Sequence, residues 1–405
     1  MAKLAVNGGS RARTEIIQPW PAAGEKEAKA IEKVLKGVSW GTLGPEVRRF
    51  EKRFSEYQQA KHGLCVVNGT VTLEIALRAL GIGYGDEVIV PPYTFYSTAS
   101  SVVMVAATPV FADIEPDSYN IDPDMIEEAI TPRTKAVIPV HVGGRACNME
   151  RIMDIARKHG IYVIEDCAHA HGSERGGRRV GSIGDAGSFS FQNSKNLTCG
   201  EGGFLTTNSM ELHKMMWSVH TCGRSFDDTG WYSHANAATN ARMTEFQAVV
   251  LDAQMDLLDE QIRNREENAA LLNSMLEQIP CVEPMPADPK ANRNSYHLFI
   301  FKYFKERCKG LPRETFIRAL QQEGLPTCSG GYNCLYGNPV FSGEDIRKLT
   351  GSKIDYKKLY LENSERACME EGVWFTQNTL LGGKKGIEQT AEAIMKMYEN
   401  VDELL

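Results

Sequence analysis

Paired cysteines are missing from this chain. Its ten cysteines form no C-x-x-C motif, and several, such as Cys65 and Cys167, lie inside apolar runs. The N-terminus does not read as a cleavable signal, so buried thiols in a reducing cytoplasm are expected rather than a disulfide frame. No apolar run approaches the roughly 20 residues that span a bilayer, so no membrane partner is expected. There is no excess of positive charge: the net charge is −7, with Lys and Arg scattered. A nucleic-acid binder needs a basic face to meet phosphates, and this balance argues against one. Low-complexity tracts and internal repeats are also absent. Three familiar motifs fail. Gly81-Ile82-Gly83-Tyr84-Gly85 follows a helical pattern and precedes a strand, the reverse of a dinucleotide fingerprint. Gly382-Gly383-Lys384-Lys385 lacks the spacing and hydroxyl of a P-loop, and no G-x-S-x-G opens a helix. What remains is a cytoplasmic enzyme of ordinary composition, 42% hydrophobic and 24% charged.

At 405 residues the chain is long enough for more than one core. Residues 1–23 are irregular and read as an N-terminal arm. From Gly63 onward, short apolar runs alternate with amphipathic stretches. Leu64 to Val67, Glu87 to Val90, Pro109 to Ala112, Ala136 to Val140, Tyr162 to Ile164 and Ala186 to Phe191 are expected strands. Strands alternating with helices imply a mainly parallel sheet covered by helices, an α/β class, with ligands at the carboxyl ends of the strands. Residues 244 to 275 read as one long helix. The organisation expected is a large α/β domain over 24–260 and a smaller α+β domain over 261–405.

The chemistry concentrates between Glu165 and Gly203. One strand delivers the acidic pair Glu165-Asp166, and the next delivers Lys195 among small, polar, uncharged residues. A lysine that attacks a carbonyl must be neutral, which burial favours, and the flanks Phe189, Phe191, Leu197 and Thr198 are suited to burying it. Asp166 would then pair with a pyridine nitrogen, as carboxylates do beside pyridoxal phosphate. Asn68-Gly69-Thr70 joins a strand to a helix, where backbone N–H groups and a hydroxyl suit a phosphate. Ser190 could add a second hydroxyl, and Phe95 could stack on a planar ring. A loop lysine, a structural acid, a plain capped turn and a core aromatic fit the same spacings. His169 and His171 form an H-x-H pair near a carboxylate, but no third metal ligand stands at a convincing spacing. His169 could instead bond a phenolic oxygen of a cofactor.

The segments W-G-T-L-G-P (40–45), N-G-T (68–70), G-D-E-V-I-V-P-P-Y-T-F (85–95), P-V-H-V-G-G (139–144), E-D-C-A-H-A-H-G (165–172), S-F-Q-N-S-K (190–195), G-E-G-G (200–203) and N-A-R-M-T-E-F-Q-A (240–248) occur in one order along the chain. In this the sequence resembles the pyridoxal-phosphate-dependent sugar aminotransferases of the DegT/DnrJ/EryC1/StrS family, of fold type I. The resemblance implies that Lys195 carries pyridoxal phosphate covalently and that Asp166 pairs with its ring nitrogen. It implies Phe95 on one ring face, Ala168 and His169 near the other, and Gly69, Thr70 and Ser190 on the phosphate. It implies Asn240 reaching the phosphate from a partner subunit, hence a homodimer with shared sites. F-S-F-Q-N-S-K and A-H-A-H-G are most similar to 3-amino-5-hydroxybenzoate synthases, and T-C-G-R (221–224) to glutamine:scyllo-inosose aminotransferases. Gln192 departs from the family, where many members carry histidine. A lysine at 195, rather than histidine, favours transamination over the dehydratase branch.

The expected activity is amino transfer from glutamate or glutamine to a keto group on a sugar or cyclitol. The alternatives left open are an aromatising dehydratase like 3-amino-5-hydroxybenzoate synthase and a non-catalytic cofactor-binding regulator. Residues Trp40 to Thr42, His220 to Arg224 and the Tyr332 to Tyr336 loop are the expected substrate contacts.

Overall fold

A computed structural model describes residues 3–37, 40–227 and 232–405. Seven strands form the main sheet: β1 (His62–Val66), β2 (Glu87–Val90), β3 (Thr108–Phe111), β4 (Thr134–Val137), β5 (Tyr162–Asp166), β6 (Ala186–Ser190) and β7 (Gly203–Thr207). Their order is β1-β7-β6-β5-β4-β2-β3. From β3 through β6 every neighbouring pair is parallel. β7 runs antiparallel to both β6 and β1, so β1 points the same way as the parallel set. One reversed strand therefore sits inside a sheet whose other members share a direction. Nearly every position of these strands is buried, which is why they read as continuous apolar runs rather than alternating ones. β2 has the bounds expected from the sequence, and the other expected strands shift at one or both ends by one to three residues. β7 was absent from that expectation because G-G-F-L-T-T is short and opens with glycines.

Local chemistry sets the helices. Asn68 caps the helix Gly69–Ala79 by accepting the Val71 N–H at 2.9 Å. Pro45 opens the helix Pro45–Tyr57 at a position where its missing N–H costs nothing. Gly160 closes the helix Met149–His159 in the left-handed conformation, φ 64°. Thr244 and Gln247 form a capping box at the start of the 32-residue helix Glu245–Leu276. The first half of that helix packs Leu251, Met255, Leu258 and Ile262 onto an aromatic cluster of Phe50, Phe54, Phe189, Phe191 and Phe204. Its second half puts Ala269, Leu272 and Leu276 into a separate core with Phe299, Phe301, Phe375 and Ile394. That second core lies beside a three-stranded antiparallel sheet of β8 (Val282–Pro284), β9 (Leu298–Tyr303) and β10 (Gly372–Thr376). The long helix runs through residue 260 and serves both cores. The N-terminal segment is tied down too: Leu4 is fully buried in the second core, and the Trp20 indole N–H donates to the Lys195 carbonyl at 3.0 Å.

Two glycines let backbones meet at the sheet edge. A Cβ on Gly203 would lie 2.5 Å from the Asn68 carbonyl carbon and oxygen. One on Gly69 would lie 2.6 Å from Ser190 Cβ. These contacts draw the start of the helix Gly69–Ala79 against the ends of β6 and β7. The substitution Gly203→Ala is expected to lower stability by about 1–3 kcal/mol, since backbone and not a flexible side chain must give way. Urea denaturation monitored by circular dichroism would measure it, and an unchanged midpoint would contradict the packing described.

Candidate active site

The carboxyl ends of β1, β2, β4, β5 and β6 open on one cavity of about 610 Å³. It is lined by Asn68, Gly69 and Thr70 after β1, Thr94 and Phe95 after β2, and Val140 after β4. Asp166 ends β5 and Ser190 ends β6, and both line the cavity with Ala168, His169 and Lys195. Residues 120 or more positions apart in sequence thus converge because six strands share a direction. Every residue expected to hold the cofactor lines this cavity except Asn240.

Lys195 sits on a turn after β6 that is pinned from several sides. The Lys195 N–H donates to Gln192 O at 2.9 Å, and Trp20 holds its carbonyl. Next to it, the Asn196 amide donates to Ser295 O at 2.7 Å. Behind it lies the aromatic cluster, with Phe54 4.9 to 5.4 Å from the rings of Phe189, Phe191 and Phe204. The lysine amine opens onto the cavity, yet burial lowers its pKa to about 8, against a smaller opposing pull from Asp166. The sign is direct: above pH 8 the amine is mostly neutral and nucleophilic. Acylation of Lys195 in cofactor-free protein, followed by peptide mass spectrometry, should rise about tenfold per pH unit below 8 and level off above it. Surface lysines should keep rising toward their ordinary value near pH 10.4. A Lys195 profile identical to theirs would refute the burial argument.

Asp166 lies at the back of the cavity, 5% exposed. Its Oδ2 accepts from the Thr98 hydroxyl at 2.9 Å, and its Oδ1 from the Ala168 N–H at 3.1 Å. Burial raises its pKa, while those two hydrogen bonds and the Lys195 charge work against the rise. Glu165 faces elsewhere. Its Oε2 meets His141 Nε2 at 3.1 Å, and its Oε1 accepts the N–H groups of Ile183 and Gly184. His141 Nδ1 in turn accepts the Cys147 N–H at 3.0 Å. His141, Glu165 and Cys167 are the one group of possible metal ligands close together among the described residues. The hydrogen bonds of His141 and Glu165 occupy the atoms a metal would need.

The helix Gly69–Ala79 brings its first residues, Gly69 and Thr70, to the cavity wall. The Thr70 and Ser97 hydroxyls meet at 2.6 Å there, and Ser190 approaches Gly69 closely. This is an anion cradle of backbone dipoles and hydroxyls. Phe95 is 60% exposed on the cavity wall, open to a flat ligand rather than packed in the core. The H-x-H pair does not converge. His171 donates from Nε2 to Ser190 O at 2.9 Å and stacks on Phe191, while His169 faces the cavity. Burial pushes the His171 pKa down to about 3, so it stays neutral.

The chain matches the model of the DegT/DnrJ/EryC1/StrS aminotransferase family over residues 21–368. It belongs to that family. It is therefore an aminotransferase with the mainly parallel α/β architecture of its relatives, and the non-catalytic alternative falls away. It is 35% identical to an L-glutamine:2-deoxy-scyllo-inosose aminotransferase of Streptoalloteichus tenebrarius, over 99% of both chains. Among solved structures, 3-amino-5-hydroxybenzoic acid synthase superposes with a TM-score of 0.85 at 33% identity, covering 95% of this chain and 98% of that one. DesV from S. venezuelae, solved with a ketimine intermediate, superposes with a TM-score of 0.82 at 30% identity, covering 93% and 95%.

Some of the aminotransferase's cavity residues were beyond sequence reasoning. Thr98, Ser97 and His297 line the cavity and carry no motif of their own, and Glu201, within G-E-G-G, lines it too without having been singled out. A helical projection of Ser97–Met104 could have placed Thr98 near Thr94, whose hydroxyl it meets at 3.1 Å. His297 comes from the segment before β9, and nothing local marks it. Of the expected substrate contacts, Tyr332 lines the cavity, whereas Tyr336 is buried and bonds Glu365. Trp40, Thr42 and His220 to Arg224 lie outside it. Thr42 accepts from Arg242 Nε at 3.1 Å, and Thr221 bridges to Asn240. Asn240, which is exposed, stands with Arg242 and Thr42 on a surface outside the cavity of their own chain, whereas His220 and Thr221 are buried. Among the described residues no helix is long and apolar enough to cross a membrane.

Proposed function

We propose that this chain is a pyridoxal-phosphate-dependent aminotransferase that moves an amino group from glutamine to a ketone on a cyclitol. The observation that carries the reading is that one cavity is lined by a depressed-pKa lysine, a buried aspartate and an anion cradle. These residues fit the cofactor. Asp166 would meet the ring nitrogen, Lys195 the aldehyde carbon, Phe95 and Ala168 the ring faces, and Gly69, Thr70 and Ser190 the phosphate. When bound, the cofactor supplies an electron sink for breaking a bond at the amine-bearing carbon. The chain does the rest. Lys195 would take and return the proton as a base whose burial lowers its pKa to about 8. Asp166 keeps a negative charge fixed where the ring nitrogen would carry its proton. The glutamine donor and cyclitol acceptor rest on the relatives that match along the whole chain.

Charge and position support a homodimer. Among the described residues, Lys195 is the one Lys or Arg lining the cavity, which also holds Asp166 and Glu201. A phosphate and a donor carboxylate need more positive charge than that. Asn240 and Arg242 stand together on the separate surface, where a second copy could bring them to this cavity. The cytoplasm is the compartment proposed.

The test is a half-reaction screen. Protein converted to its amine-loaded form should recover its original absorbance with keto-cyclitols such as scyllo-inosose. Recovery with no keto-sugar or keto-cyclitol would defeat the proposal, and aromatisation of an aminated cyclohexenone would redirect it to the synthase reading.

A further inference from the structure

His297, Tyr332 and Asn196 have no part in the chemistry described above, and their hydrogen bonds fix where each proton lies. Asn196 Nδ2 donates to Ser295 O at 2.7 Å. A carbonyl only accepts, so the amide cannot be turned over, and its Oδ1 faces His297 Nδ1 at 3.2 Å. An amide oxygen also only accepts, so Nδ1 of His297 carries the hydrogen. Burial lowers the His297 pKa well below its usual value, and Lys195, His169, His171 and Arg265 lower it further. The ring is neutral, and Nε2 is a bare lone pair. It has no hydrogen-bond partner among the described residues, and the ring lines the cavity.

The neighbouring wall has the opposite polarity. His169 Nδ1 accepts the Gly143 N–H at 3.3 Å, so its hydrogen is on Nε2, pointing to the Tyr332 oxygen at 3.3 Å. Tyr332 accepts from His169, which leaves its own O–H free to donate into the cavity. Burial raises the phenol pKa, so that hydrogen stays in place. The His169 ring centre is 4.4 Å from that of His297 and 6.4 Å from that of Tyr332. A fixed acceptor and a fixed donor thus flank one histidine on the same wall.

We propose that His297 and Tyr332 together read the side-chain carboxamide of the amino donor, and so select glutamine over glutamate. The carboxamide NH2 donates to His297 Nε2, and its C=O accepts from the Tyr332 O–H. A carboxylate has acceptors alone. It would set an oxygen against the His297 lone pair, with no hydrogen between them. Sites built around a hydrogen-bonding group reject analogues that leave it unpaired. Asn196 is the positioning residue, because it holds the imidazole in the Nδ1–H form. The inference rests on the aminotransferase reading.

Two measurements test it. In the cofactor-free protein, 15N-histidine NMR between pH 6 and 8 should show His297 protonated at Nδ1 and bare at Nε2. In the pyridoxal-phosphate-loaded protein, single-turnover kcat/KM for glutamine should exceed that for glutamate by about 10²-fold or more. His297→Leu should bring that ratio below about ten by cutting the glutamine value. Asn196→Asp, whose carboxylate draws a second proton onto the imidazole, should shift preference toward glutamate. Ratios unchanged in both variants, an Nε2–H signal, or a loss confined to the ketone half-reaction would overturn the proposal. A wild-type protein that takes nitrogen from neither amino acid, despite the stated tautomer, would instead overturn the aminotransferase reading beneath it.

Discussion

Lys195→Ala should abolish amine transfer while leaving the protein folded. With pyridoxal phosphate added, the variant should show no visible absorbance that borohydride fixes to the chain, and turnover should fall by at least about 10³-fold. Two functions are lost together. The amine that would hold the cofactor covalently is gone, and so is the base positioned to move the proton. Stability should not follow activity. The lysine amine is held in a desolvated place that drives its pKa down to about 8, so in the native protein it is a cost rather than a support. The turn that carries it is held by Trp20, by Asn196 and by Leu197, which is fully buried, and not by the lysine side chain. The melting temperature of Lys195→Ala should therefore match or exceed the wild type in differential scanning calorimetry. A variant that still transaminates would end the functional proposal.

Asp166→Asn should retain the covalent cofactor and lose the rate. Asparagine keeps the shape but removes the fixed charge opposite the ring nitrogen. Losing a preorganised electrostatic partner of this kind costs about 10²–10³-fold in rate. The amide also disturbs its own anchorage. Both carboxylate oxygens accept hydrogen bonds, from the Thr98 hydroxyl and the Ala168 N–H, and an amide NH2 can accept neither. Part of the loss should therefore appear as a shifted absorbance maximum, the mark of a displaced or electronically altered ring. Stopped-flow absorbance with glutamine separates the two effects. Normal cofactor loading with a slow half-reaction is the expected result. Wild-type rates would show that Asp166 is a structural acid.

The effects of these two changes rest on residues that were legible in the sequence, for a physical reason. In a sheet whose strands share a direction, each strand end is a site of its own. A short apolar run therefore marks the few residues after it as ligand positions without any knowledge of the neighbours. Asp166, Lys195, Thr70 and Phe95 each follow this rule, and the structure brings all four to one cavity. The other side of that cavity does not follow it. Tyr332 and His297 come from beyond the long helix, and their alignment with His169 depends on how β9 and its loops dock against the main sheet. The proton positions on His169 and His297 depend on Gly143, Asn196 and Ser295, three segments with no common pattern.

Periodicity, strand-end chemistry and composition, all of them local, determined the α/β class and marked Lys195, Asp166 and the N–H-rich helix start as candidates. The resemblance carried by the ordered motifs determined the family. Tertiary structure alone decided that β7 runs against its neighbours, since strand direction is set by pairing and not by the residues of one strand. It decided that Trp20, from the first segment of the chain, holds the lysine's carbonyl. It also decided that Asn240 stands outside the cavity of its own chain, because a position relative to a cavity exists only once the sheet and its loops have closed around it.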